Sequence, residues 1–315
     1  MRRRSPVRRG AALALLLAVG CAGASSDPWD LARLEREHPA LAAVPGHRLR
    51  DVRPYALAAS GRLTFFLCRW PDGAKIPLAI AGDATPEERR AIERALAAWE
   101  GAGLGIAFAR RERLTRPEGV EIRVIDDLIA GGANTIADCA VGPAGLSRGD
   151  GALPARIAFA SVHLARGDPR LTGSALHELG HALGFQGHPR RGDTVMAPGV
   201  KAARLAGERV RAGELSGDPA LSALYAVPSG TVLARRSLPP ERTRPFDRLA
   251  ANAGRAGWSG PFARVGDEEG RLFWRDARGD AIAFTLTGLT PARQDPRRLV
   301  LTPNARARRE LERLP

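Results

Sequence analysis

The sequence predicts an α+β fold, in which strands and helices mix over residues 62–235 and a smaller β-rich segment follows over residues 236–315. Three observations predict it. Residues 63–67 and 76–80 are apolar runs of strand length. Thr85-Pro86-Glu87-Glu88 starts a helix between two sets of strands, with a capping pair and proline at the first helical position. Residues 272–274, 282–284 and 299–301 are short apolar runs, the first two separated by the turn-like Asp276-Ala277-Arg278-Gly279-Asp280. A chain of 315 residues is long enough for a sizeable core and more than one domain.

Residues 1–24 read as an export signal, with five arginines in the first nine residues, an apolar run at 11–19 too short for a stable membrane span, and small residues after it. Ala18-Val19-Gly20-Cys21 resembles a bacterial lipobox, whose cysteine is lipidated and becomes the new N-terminus. Ala22-Gly23-Ala24 offers a conventional cleavage site that would release a soluble protein. The lipoprotein, anchored to the membrane through Cys21 in the periplasm or at the cell surface, is the preferred reading and secretion the alternative. Export suits the cysteines, because with Cys21 at the processing site Cys68 and Cys139 remain as an even pair, read as a structural disulfide in an oxidising compartment. The formal charge of +14 is almost all arginine, Lys75 and Lys201 being the only lysines, and it is spread along the chain. No nucleic-acid module or aromatic-interleaved basic patch accompanies it, so nucleic acid is not expected as a partner.

Residues 25–61 contain one short helix near residues 30–37 and no assignable chemistry; His38 and His47 there read as solvated. After the two apolar runs and the capping box, Ile92, Leu96 and Trp99 form one buried helical face and Gly101 supplies the stop. Leu104, Ile106 and Phe108 alternate as in a half-buried strand, as do Val120, Ile122 and Val124. A long glycine-rich connection runs from residue 130 to 155, and residues 155–160 form a short strand with His163, read as structural, near its end.

The next stretch, Leu176-His177-Glu178-Leu179-Gly180-His181, demands a particular chemistry. On a helix, residues four apart share a face, so His177 and His181 can offer two imidazole nitrogens to one metal ion with Glu178 beside them as a base. Gly184 ends the helix in a left-handed conformation, and the chain doubles back to bring His188 up as a third ligand. Three protein ligands leave the fourth position of a tetrahedral zinc ion open. Met196 follows in Asp193-Thr194-Val195-Met196-Ala197-Pro198, and apart from the initiator it is the only methionine.

These residues resemble the metzincin zinc peptidases, and most closely their matrixin branch, with HExxHxxGxxH followed by a turn carrying a methionine under the metal. The chain departs from the pattern in one place: His188 stands eleven residues after His177 rather than ten, with Gly187 as the extra residue. The resemblance covers residues 62–235 and implies a twisted mixed sheet, an active-site helix and a small lower subdomain closed by a helix after Asp218-Pro219. It implies that the strand at 155–160 is the cleft's edge strand, to which substrate adds in extended form, and that Met196 is structural. Cys68-Arg69-Trp70-Pro71-Asp72 loosely resembles the matrixin cysteine switch, an alternative to the disulfide. The matching region of matrixins also carries a structural zinc and calcium; without histidines at 130–155 no second zinc is expected, and calcium is considered at Asp150 or Asp138.

The implied function is a zinc-dependent endopeptidase acting on proteins or peptides outside the cytoplasm, with one catalytic zinc held by His177, His181 and His188 and Glu178 as general base. Two rivals stand beside it. One keeps the enzyme but takes its third ligand from Glu208 or Glu214, as in thermolysin-like peptidases. The other is a zinc-stabilised surface lipoprotein that binds without catalysing, with residues 236–315 as a β-rich accessory domain behind a proline- and arginine-rich linker.

Overall fold

The computed structural model describes residues 29–314, apart from 48, 115–117, 127, 129–131, 143–145, 147–151, 190–193, 214–217, 267–268, 280 and 289–297. The expected export signal, Cys21, Asp150, Asp193 and Glu214 lie outside the described residues.

Two short helices, α1 (Leu31–Glu37) and α2 (Pro39–Ala42), lead into a hairpin of β1 (Tyr55–Ala59) and β2 (Arg62–Phe66). Then come β3 (Lys75–Ile80), α3 (Pro86–Glu100), β4 (Ala107–Arg111), β5 (Gly119–Ile125), β6 (Ala133–Val141) and β7 (Ala155–Ala165). Helices α4 (Leu171–Ala182), α5 (Val200–Arg211) and α6 (Pro219–Tyr225) carry and flank the histidine motif. The last part holds β8 (Val232–Ser237), α7 (Pro240–Ala253), β9 (Ser259–Val265), β10 (Gly270–Arg275), β11 (Ala281–Thr287), β12 (Val300–Pro303) and α8 (Ala305–Arg313).

The local signals act as expected at α3. Thr85 accepts from the Glu88 amide at 3.2 Å while the Glu88 carboxylate accepts from the Thr85 amide at 2.8 Å, completing the capping box. Ile92, Leu96 and Trp99 are buried, and the Trp99 indole N–H donates to the Leu176 carbonyl at 2.9 Å, tying α3 to α4. A tryptophan readable only as a core residue thus also orients the motif helix.

Strand order departs from expectation. The described strands form a small antiparallel sheet, β1-β2-β8, and a nine-stranded sheet in the order β12-β11-β10-β9-β6-β7-β5-β3-β4. β4, β3, β5 and β7 run parallel, and β7, β6, β9, β10, β11 and β12 pair antiparallel in that order. The strand expected at the cleft edge, β7, is therefore interior, paired with β5 on one side and β6 on the other. The glycine-rich connection instead supplies β6, beside β7. Hydrophobic patterning had concealed β6, because Ala133, Ala137 and Ala140 give little contrast with its polar residues.

The stretch expected as a linker, from residue 236, holds the end of β8 and the whole of α7. Helix α7 forms despite the interior Pro245 because Phe246, Leu249 and Ala253 share one buried face against the sheet. The C-terminal segment is thus mixed, with two helices as well as strands. Asp138, considered for calcium, is fully buried and accepts hydrogen bonds from Arg264 at 2.7 Å and Arg275 at 2.5 Å, so both oxygens hold guanidinium groups. Cys68 and Cys139 form a disulfide with Cα atoms 6.2 Å apart. This removes the Cys68 thiolate that a switch would need.

Candidate metal centre

Helix α4 brings the motif together because its end is built to turn the chain back. The Phe185 amide donates to the Gly180 carbonyl at 3.1 Å and the Gly184 amide to the His181 carbonyl at 3.0 Å, the paired bonds of a Schellman turn. Gly184 has φ of 113°, as the sequence required, and a side chain there would overlap the Cys68 carbonyl oxygen. Gly187, the extra residue, also has a positive φ, 86°, and packs against Arg53 and Asp51. The loop absorbs its added length in a conformation natural to glycine and sets His188 over the helix.

The three Nε2 atoms form a small triangle. His177 and His181 are 3.1 Å apart, His177 and His188 3.1 Å, and His181 and His188 3.3 Å. Ligand nitrogens about 2.0–2.1 Å from one tetrahedral zinc ion stand about 3.3 Å from each other, so the triangle fits that ion. The opposite ring nitrogens are anchored: His177 Nδ1–H donates to the Val195 carbonyl at 2.8 Å and His181 Nδ1–H to the Phe185 carbonyl at 2.6 Å. These bonds select the tautomer that leaves each Nε2 lone pair free. Burial holds His177 down to about 4 and His181 down to about 3, so both rings are neutral at pH 7 and need shed no proton to bind a cation.

Glu178 lies buried beside this triangle in sequence, and burial pushes its carboxyl up to about 7 against the pull of one hydrogen bond. That bond comes from Thr135 on β6, whose hydroxyl is 2.7 Å from Oε2 and 3.0 Å from the Glu178 carbonyl oxygen. Sequence reasoning missed Thr135 because it missed the strand that presents it.

Met196 is fully buried beneath the helix, against Gly180. A Cβ at residue 180 would overlap the Met196 sulfur and come within 2.9 Å of its Cε and 3.3 Å of Leu221. Gly180, between the two helical histidines, was thus a legible signal that sequence reasoning passed over. Asp218 caps α6 through the Ala220 amide at 2.8 Å, as expected, and also accepts from the Val195 amide at 3.1 Å. Burial raises its carboxyl above the ordinary range, while those amides and the amides of Leu221 and Met196 oppose the rise. Asp218 and the His177 ring therefore both bond the backbone of Val195, one at its N–H and the other at its carbonyl.

The remaining candidates lie elsewhere. His163 is on β7 with its ring 3.1 Å from Ser161 Oγ, and His47 pairs with Glu35 at 2.9 Å rather than standing in solvent. His38 precedes α2. Glu208, the rival third ligand, is on α5 in an exposed pair with Arg204 at 2.8 Å, whereas His188 is in the triangle. Among the described residues, His177, His181 and His188 are the one group of three or more histidine, cysteine or acidic side chains placed to hold a metal ion.

No protein-family model and no curated protein matches this chain. Among solved structures, High choriolytic enzyme 1, a hatching enzyme zinc-protease from Oryzias latipes, is 24% identical over 38% of this chain and 50% of that chain, with a TM-score of 0.26. One structure of myroilysin is 22% identical over 37% of this chain and 50% of that one, and a second is 16% identical over 58% and 85%, both with a TM-score of 0.23. The chain spans half the length of the first two.

Proposed function

We propose that the protein is an exported, metzincin-like zinc endopeptidase. The observation that carries this reading is the Nε2 triangle with its anchored far nitrogens, a cage shaped for one tetrahedral cation with a face left over. His177, His181 and His188 would hold the ion. When bound, zinc supplies Lewis-acid polarisation of a scissile carbonyl and a nucleophile from water at neutral pH. Glu178 takes the proton from the attacking water and returns it to the departing amine, a task suited to a carboxyl raised to about 7. Thr135 fixes that carboxylate by donating to Oε2. The Tyr225 hydroxyl already donates to the Leu183 carbonyl at 3.0 Å, so it is engaged in structure. The Cys68–Cys139 bridge supports a site of action outside the reducing cytosol, and a lipid anchor on Cys21 is part of the proposal.

The test compares wild type with Glu178→Ala on denatured protein substrates, with and without a chelator. Wild type is expected to cleave and the chelator to abolish cleavage. The variant is expected to keep zinc while losing about 100-fold or more, the usual range for a general base. Equal, zero cleavage by both proteins with zinc bound would leave a non-catalytic zinc site instead.

A second outcome probes the positioning chain. Asp218→Asn keeps shape but weakens the hold on the Val195 peptide and so on the His177 ring. Zinc affinity, measured by competition with a chromophoric chelator, should fall by up to about 10-fold, the low end of the cost of losing a ligand's direct partner, because the Val195 carbonyl itself stays in place.

A further inference from the structure

The outer edge of β6 is open at one end and closed at the other. On the side away from β7, β9 pairs with β6 at Cys139 and Ala140. The closure is riveted by Arg264 and Arg275, which both bind the buried Asp138 carboxylate. Just before it, the Tyr55 hydroxyl lies 3.5 Å from the Ala137 carbonyl oxygen. Ala137 is 3% exposed and Asp138 is 0% exposed. Residues 133–136, by contrast, are partly or fully exposed, and among the described residues no strand pairs with their outer side. Thr135, which holds the Glu178 carboxylate, sits in this open part.

Resting on the peptidase reading, we propose that the C-terminal strands and Tyr55 close the substrate cleft at one end. A bound peptide then pairs with β6 over only about two residues on the N-terminal side of the scissile bond. A peptide joining the free edge makes the stronger ladder when antiparallel, which points its N-terminal side along β6 toward Asp138. With about 3.3 Å of rise per residue, Thr135 and Ala137 are about 7 Å apart along the strand, so a third residue on that side meets the wall. The opposite side runs off the open end at Ala133. Selectivity is then carried by the residues after the scissile bond, and residues further before it must leave the strand.

The test uses the full, zinc-loaded chain and two families of peptide hydroxamates, one lengthened from one to five residues on the N-terminal side and the other on the C-terminal side. Binding is read directly by calorimetry. In the N-terminal series, affinity should rise through the second residue and then change less than about twofold per residue, while the C-terminal series should continue to gain through the third. Gains of fivefold or more from the third and fourth N-terminal residues would overturn this inference alone and leave the peptidase reading standing. Failure of both series to bind a chain shown to hold one zinc would overturn both. Amide exchange in the free protein gives an independent reading. Only the amides that face away from β7 report on this edge: fast exchange at those of residues 137–140 would sink the closure, whereas slow exchange there, with fast exchange at the outward-facing amides of residues 134–136, is expected.

Discussion

Replacing Gly180 with alanine should destabilise the protein by about 3 kcal/mol, at the upper end of the usual cost of overpacking a core, and weaken zinc binding together with it. On an exposed helix the same change would stabilise by about 1 kcal/mol, because alanine is the better helix former. Here the added methyl overlaps the sulfur of a fully buried Met196 and comes within 3.3 Å of Leu221. The clash wins. The turn that Met196 belongs to also carries the Val195 carbonyl that orients His177, so displacing one misaligns the other. Denaturant unfolding and a zinc titration check the two halves of the prediction. A Gly180→Ala protein as stable as wild type, with unchanged zinc affinity, would show that the methionine beneath the site is not held in place by this contact.

Removing the disulfide with Cys68→Ala and Cys139→Ala should cost about 4 kcal/mol, the loop-closure estimate for a bridge between residues 71 apart in sequence. The position of the bridge makes the loss more than a general loosening. Cys139 is where β6 meets β9, and Cys68 is the residue whose carbonyl Gly184 packs against at the end of the motif helix. The bridge therefore links the closed end of the β6 edge to the turn that redirects the chain toward His188. Unfolding in denaturant, with and without reductant, measures the effect: the double variant should match the reduced wild type, and both should fall below the oxidised protein.

The site was more legible in the sequence than the sheet that frames it, and particular residues show why. The histidines, Glu178, Gly184 and Met196 act through spacings of a few residues on one helix and one turn, so local periodicity contains them. The Thr85 capping box is local for the same reason. Strand β6 was hidden because its alanines blur the apolar alternation and because its neighbours come from far away in the chain, β7 on one side and β9 more than a hundred residues later. The interior position of β7 follows from that missed pairing. Helix α7 was masked by its prolines and arginines, and what stabilises it is a buried face against strands that only the folded chain brings near. Thr135 and the arginine partners of Asp138 share this dependence on long-range pairing.

The indole of Trp29 rests against Phe65 with ring centroids 5.4 Å apart, and Leu34, Leu41 and Leu49 sink into the same interior as the rest of the molecule. Residues 29–49 are therefore part of the interior on which the rest of the chain is built. Removing them would tear out part of the foundation that β2 and the rest of the core rest on.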